Sequence, residues 1–123
     1  MQKDQSHTKA GRGDDLAARR CVPCEEGAPR LTAEQITGLL WNLDGWQCVE
    51  GHHLTKTWEF DDFAQALAFV NRCGEVAERE GHHPDLFLKW GLVRAEVYTH
   101  SVDGLTESDF VLAAKIDRIP PAR

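Results

Sequence analysis

Three histidines and two carboxylates carry the chemistry this chain could perform. Glu78 precedes the run His82-His83-Pro84 by one helical turn, and His100 follows eighteen residues after His82. Imidazole titrates nearest to neutral pH, so a histidine can both give and take a proton there. A carboxylate placed beside an imidazole orients the ring and raises its basicity, which a general base requires. Spacing of four residues allows Glu78 and His82 to share a helix face or its fraying end. His82 and His83 are successive residues in a non-helical exit, so their rings can point to different sides of one pocket. His100 is expected at the end of a strand, with Asp109 in the first turn of the helix that follows. The free N–H groups of that helix start could receive an electronegative ligand atom. No Ser or Cys stands in a comparable local motif, so the pattern suggests proton transfer without a covalent intermediate.

Two other motifs compete with this one. Glu50-Gly51-His52-His53 repeats the tetrapeptide Glu80-Gly81-His82-His83, but it lacks the proline and its flanks share nothing with the second copy. It is expected to be a solvated hairpin turn. Cys21-Val22-Pro23-Cys24 has metal-ligand or redox spacing, yet a structural zinc site needs four ligands and no second CxxC exists. A redox CxxC opens a helix after a strand, whereas this one sits among Pro, Gly and Glu. It is expected to be a loop, with no metal bound. Cys48 and Cys73 lie in apolar stretches and are expected to be buried thiols.

The elements that must position these residues follow from periodicity and punctuation. Residues 1–20 are polar and show no apolar period, which predicts a flexible tail, and 21–30 form a Cys/Pro loop. A single domain is expected over 31–123. Thr32 with Gln35 three residues later is a capping box, followed by Ile36, Leu39, Leu40 and Leu43 at helical spacing. Asp44-Gly45 closes that helix. Strands are expected over 46–50 and 54–60. In the second, Leu54, Lys56, Trp58 and Phe60 alternate with Thr55, Thr57 and Glu59, the pattern of a half-buried strand. Asp61 or Asp62 can cap a long helix reaching Glu80, whose broad apolar stripe exceeds the needs of one sheet face. Gly81 and Pro84 punctuate its end. A hairpin about Gly91 pairs 86–90 with 92–100, and Thr106 with Asp109 opens a last helix that Pro120-Pro121 stops. Trp46, Trp58 and Trp90 are expected in the core or at a subunit interface. The order α-β-β-α-β-β-α predicts an α+β fold: a four-stranded antiparallel sheet with helices packed on one face.

Composition narrows the class. With 123 residues and 41% hydrophobic side chains, a folded globular domain is expected. No stretch approaches the roughly 18 apolar residues of a membrane span, and Met1 to Ala10 lacks the apolar core of a secretory signal. A cytoplasmic address is the expectation. Residues 1–30 carry six Lys/Arg against five Asp/Glu, while 31–123 carry eight against fifteen. So acidic a body does not suit a phosphate-backbone binder, and neither nucleic acid nor a membrane is an expected partner.

The stretch Glu78-x-x-x-His82-His83-Pro84, then Thr99-His100, then Gly104-Leu105-Thr106-x-x-Asp109, resembles the pterin-4a-carbinolamine dehydratases. That family includes the dimerisation cofactor of a hepatocyte transcription factor. The likeness extends over 31–119 and takes in Gly45-Trp46 and Phe60-Asp61-Asp62-Phe63. Cys21-x-Pro-Cys24 followed by Glu and Gly looks like the leader of bacterial-type members. The resemblance implies dehydration of a 4a-hydroxytetrahydropterin to the quinonoid dihydropterin, with no metal or cofactor. Another enzyme reduces that product, which recycles the cofactor of aromatic amino acid hydroxylases. It also implies homodimers or homotetramers, in which the long second helix helps pair dimers. Carried over by position, His82, His83 and His100 match the family's active-site histidines, and Glu78 and Asp109 match acidic residues near them. His83 and His100 would flank the pterin, with His82 the major proton donor or acceptor; the division between acid and base stays open. Pro84, Thr99 and Ser101 fall in the substrate-contacting segments. Animal members have an acidic residue where this chain has Gly81, so a second carboxylate there is not implied.

Two other classes of function stand beside this enzyme. One is a dimerisation or regulatory module that keeps the pterin pocket without turnover. The other is a metal site built from Cys21, Cys24 and the histidines.

Overall fold

Thr32 and Gln35 start the first helix as their types predict. The Thr32 hydroxyl accepts the Gln35 N–H at 3.1 Å, and the Gln35 side chain accepts the Thr32 N–H at 2.8 Å. The computed structural model describes residues 15–22 and 29–120. From residue 29 on, the order is α1 (Ala33–Leu40), β1 (Gln47–Val49), β2 (His53–Glu59), α2 (Phe63–Glu80), β3 (Asp85–Lys89), β4 (Leu92–Val97), a 3-10 turn (His100–Val102) and α3 (Glu107–Asp117). The predicted α+β architecture is present. All strand pairs are antiparallel, in the order β1-β2-β4-β3.

Register divides the sheet into two unlike faces. Leu54 pairs with Val97, Lys56 with Ala95 and Trp58 with Val93, while Leu86 and Leu88 oppose Ala95 and Val93 from the other side. This face packs beneath α2 and α3, where Leu54, Val93, Ala95, Val97 and Phe110 are fully buried. The opposite face carries Thr55, Thr57, Glu59, Arg94 and Glu96, and Arg94 lies over the Phe87 ring at 4.7 Å. Trp46 is buried and meets Trp58 edge-on at 5.6 Å. Trp90, expected in the core or at an interface, sits on the β3–β4 turn and is 70% exposed, so it is not part of this chain's core.

α2 ends where Gly81 takes a left-handed φ of +66°, a conformation glycine adopts without steric cost. Its N-cap is Asp62, which accepts the Gln65 N–H at 2.9 Å. The backbone N–H of His82 still donates to Ala77 O at 3.2 Å. The exit from the helix is therefore anchored to its last turn.

Three expectations differ from what is found. β4 stops at Val97, and Thr99 instead pairs with Gly104 in an isolated bridge, so His100 opens a 3-10 turn and does not end a strand. The loop from His100 to Asp103 is short enough to close on itself, with Thr99 N donating to Gly104 O at 2.8 Å. His53 belongs to β2, so only 50–52 form the turn. The described part of the expected tail is ordered against the domain: 15–18 are helical and Leu16 is only 1% exposed. One buried leucine leaves no period for the sequence to display. Polar contacts supply the rest, with Lys115 Nζ donating to Ala17 O at 2.8 Å and Val22 N to Ser108 Oγ at 2.8 Å. Pro23 to Ala28, Cys24 among them, lie outside the described residues.

Candidate active site

Asp109 is the centre of the site. It lies in the first turn of α3 with a side chain that is 0% exposed. A buried carboxylate is costly unless donors surround it, and three do. The His82 imidazole Nε2 meets Oδ1 at 2.6 Å, while Oδ2 accepts the Thr99 hydroxyl and the Thr106 backbone N–H, each at 2.8 Å. Thr99 and Thr106 hydroxyls lie 2.8 Å apart. Since Thr99 gives its hydrogen to Asp109, Thr106 is the donor in that pair. The helix start that caps itself thus also holds a histidine.

This contact fixes the His82 tautomer. A carboxylate on Nε2 requires the N–H there, so the neutral ring presents its lone pair at Nδ1. His82 is 13% exposed, and no contact to Nδ1 is found among the described residues. The arrangement is that of an oriented base: a ring with one nitrogen held by a buried anion and the other available. When it takes a second proton, the charge forms against Asp109.

His83 is placed differently. Its Nε2 lies 2.5 Å from Glu78 Oε2, and the two side chains are 57% and 80% exposed. Glu78 therefore pairs with His83 and not with His82, to which helical spacing assigned it. The left-handed turn at Gly81 breaks the four-residue register, sending the His82 ring inward to α3 and the His83 ring back along α2. Exposed pairs of this kind contribute little to stability.

His100 occupies the rim. Its Nε2 is 3.8 Å from Asp85 Oδ1, an ion-pair distance when protonated and too long for a hydrogen bond. Pro84 is half-buried and joins His83 to Asp85, so β3 begins by bringing a carboxylate toward His100. Ser101 follows on the exposed 3-10 turn. Asp109 thus joins His82 and Thr99 by hydrogen bonds, and His83 and His100 border the edge of the sheet where β3 begins and β4 ends.

Some neighbours were not singled out from the sequence. Asp85 follows the His-His-Pro run directly and could have been read as its extension. The Tyr98 ring lies 4.2 Å from that of His100, and its place just before Thr99-His100 is the one local signal for it. His52 is half-buried, and its Nε2 lies 2.8 Å from Asp103 Oδ1 across 51 residues of sequence. The His52 hydrogen bond holds the Asp103 carboxyl below its ordinary range. No local signal marks that contact.

The N-terminal segment closes the underside. Cys21 N donates to Glu80 Oε1 at 3.1 Å, and Lys115 Nζ lies 3.5 Å from Glu80 Oε2. Burial pushes the Glu80 carboxyl up, but the Cys21 N–H and the Lys115 ammonium outweigh it and hold it below the usual range. Burial, then the Glu80 charge, pushes the Cys21 thiol to about 12, so it is not poised as a thiolate nucleophile or ligand. Among the described residues no group of three or more His, Cys, Asp or Glu side chains could hold a metal ion. No helix there is long and apolar enough to cross a membrane.

Comparison with known proteins converges on one family. The model of the pterin 4 alpha carbinolamine dehydratases matches residues 29–119. A Rubrobacter xylanophilus relative whose name assigns it to the pterin-4-alpha-carbinolamine dehydratases is 50% identical over 105 residues, covering 85% of this chain and 98% of its own length. The crystal structure of a transcriptional coactivator/pterin dehydratase from Brucella melitensis superposes with a TM-score of 0.68 at 37% identity, covering 72% of this chain and 96% of that one. A pterin dehydratase-like protein described as a RuBisCO assembly factor in the alpha-carboxysome shares the fold, with a TM-score of 0.52 at 24% identity over 60% of this chain and 87% of its own.

Proposed function

The chain belongs to the pterin-4-alpha-carbinolamine dehydratase family, and from that premise we propose that it dehydrates a 4a-hydroxytetrahydropterin to the quinonoid dihydropterin. The reaction removes the N5 proton, forms the N5–C4a double bond and expels the 4a-hydroxyl as water once it is protonated. One base and one acid suffice, and neither a metal nor an organic cofactor is needed.

The observation that carries this proposal is the His82–Asp109 contact within the Thr99–Thr106 network. It supports His82, through Nδ1, as the group that exchanges the N5 proton. His83 and His100 flank the pterin and exchange protons with solvent, which suits delivery to the leaving hydroxyl. Glu78 orients His83, Pro84 and Ser101 shape the substrate-contacting rim, and Thr99, buried beneath them, holds Asp109 and adjoins the pterin through the turn that it begins. Release of a quinonoid product requires a reductase downstream and an aromatic amino acid hydroxylase upstream. Phe63 and Leu67 on α2 are 40% and 39% exposed, which supports a homodimer or homotetramer paired through that helix.

Stopped-flow dehydration of enzymatically generated carbinolamine tests the proposal. His82→Ala and His100→Ala should each lower the rate by roughly 10²–10⁴ with unchanged circular dichroism; wild-type rates in both would overturn it. The coactivator description of the Brucella structure favours a second reading, a regulatory module with an inherited pocket. Stoichiometric capture of a protein partner together with no turnover would select that one.

A further inference from the structure

We infer that Tyr98, braced by the His52–Asp103 pair, is a positioning residue that holds the His100 imidazole in its working orientation. The inference rests on the dehydratase proposal for His100 and adds three residues that the family likeness did not supply.

His100 needs such a device. Its side chain is 57% exposed, and its carboxylate neighbour Asp85 stands at 3.8 Å, beyond hydrogen-bond reach. An imidazole on an exposed turn would otherwise sample several rotamers, whereas proton transfer demands placement within about 0.5 Å. The close contact that it does make is aromatic. Its centroid lies 4.2 Å from that of Tyr98, with the planes at 39°.

Tyr98 is itself fixed from a distant part of the chain. The His52 ring lies 4.5 Å from Tyr98, and both of its nitrogens are engaged. Nε2 meets Asp103 Oδ1 at 2.8 Å and Nδ1 meets His53 Nδ1 at 3.1 Å. With the carboxylate accepting from Nε2–H, the neutral His52 ring accepts at Nδ1, so His53 is the donor between them. A ring tied at both nitrogens cannot flip.

The contacts then close into a loop. Asp103 ends the 3-10 turn that His100 begins, and its backbone N–H donates to His100 O at 3.2 Å. One residue therefore holds His100 by its backbone, and through His52 and Tyr98 supports its ring. Asp103 adopts φ +52°, a left-handed conformation that Asp tolerates better than most residues. The His-His pair at 52 and 53, whose sequence context pointed only to a solvated turn, here serves a histidine 47 or 48 positions away.

Tyr98→Leu and Tyr98→Phe in the full chain test this. The ring and not the hydroxyl makes the contact, so Tyr98→Leu should lower kcat about 10- to 100-fold with KM changed less than about threefold, and Tyr98→Phe should restore both. Carbon-detected imidazole spectra give a readout independent of turnover. Loss of the Tyr98 ring current should move the His100 ring resonances in Tyr98→Leu, leave those of His82 in place, and return them in Tyr98→Phe. His52→Ala should move the same His100 signals in the same direction, which keeps the test available if Tyr98→Leu does not fold. Unmoved His100 resonances in both Tyr98→Leu and His52→Ala, or equal losses in Tyr98→Leu and Tyr98→Phe, would overturn the inference. A wild-type chain without dehydratase activity but with these spectral shifts would refute the dehydratase proposal and leave the positioning intact.

Discussion

Replacing Asp109 by Asn removes a charge while keeping the shape of the side chain, and the structure fixes how the amide must sit. One carboxylate oxygen accepts the Thr106 backbone N–H and the Thr99 hydroxyl; the other meets His82 Nε2. If the amide nitrogen faced Thr106, two donors would collide, and a backbone N–H cannot rotate away. Leaving that buried donor unpaired would cost about 1–3 kcal/mol. The amide oxygen therefore takes the Thr106 side and the NH₂ group faces His82. The imidazole must then accept at Nε2 and carry its hydrogen on Nδ1, which abolishes the proposed base. In the well-studied Ser-His-Asp systems the equivalent change costs on the order of 10⁴ in kcat through the same tautomer error. A loss of about 10³–10⁴ is expected here, equivalent to roughly 4–5.5 kcal/mol of transition-state stabilisation. Stability should fall by only about 1–3 kcal/mol, since all three contacts persist, the one to His82 reversed in direction and without the carboxylate charge. The assay is stopped-flow dehydration at a temperature where circular dichroism shows the variant folded, with long-range ¹⁵N imidazole spectra reporting the tautomer. Activity within threefold of wild type, or a His82 ring that keeps its Nε2–H, would refute the reasoning.

Two further outcomes follow from groups outside the site. Burial raises the Asp117 carboxyl above its ordinary value of 3.8, although Lys56 Nζ at 2.9 Å and the Trp46 indole N–H at 3.1 Å oppose the shift. The folded protein thus holds this proton more tightly than the unfolded chain, and the contribution of Asp117 to stability grows as pH falls through the raised value towards 3.8. Urea unfolding should show wild type gaining on Asp117→Asn between pH 7 and pH 4; a constant or opposite difference would contradict the assignment. Burial also pushes the Cys21 and Cys73 thiols to about 12. Both should resist iodoacetamide at pH 8 in native protein and react after unfolding, as followed by peptide mass spectrometry, and rapid native labelling of either would count against that packing.

What the sequence made legible were features that act over one or two turns. The Thr32–Gln35 capping box, the period-two pattern of β2 and the Gly81 stop depend on neighbours in the chain, and all are found; the antiparallel sheet with its covered face followed from the order of such elements and is found too. The partners of the histidines depend on what happens past a break in periodicity. Glu78 and His82 have helical spacing, but the left-handed Gly81 between them cancels it, so the carboxylate for His82 comes from α3, 27 residues away. His52 and Asp103 are further apart still, and nothing local distinguishes them from a solvated turn. The N-terminal segment escaped for another reason. A single buried Leu16 and a few polar contacts to α2 and α3 leave no pattern to read.

The two kinds of histidine environment also explain why the proposed chemistry falls at a junction. The proposed role of His82 calls for a buried anion, and the self-capped start of α3 supplies one, where Asp109 is fully buried and reaches back to Thr106. Bringing His82 there requires α2 to end directly beside it, which the αL turn at Gly81 and the retained His82 N–H to Ala77 bond accomplish. His100 needs solvent access and is carried on a tight turn whose base, the Thr99–Gly104 bridge, is fixed by Thr99, the same residue that hydrogen-bonds Asp109. Thr99 therefore couples the buried and exposed halves of the site, and a change there should disturb His82 and His100 together. Its position next to His100 in sequence and, through a 2.8 Å hydrogen bond, next to Asp109 in space links the two directly.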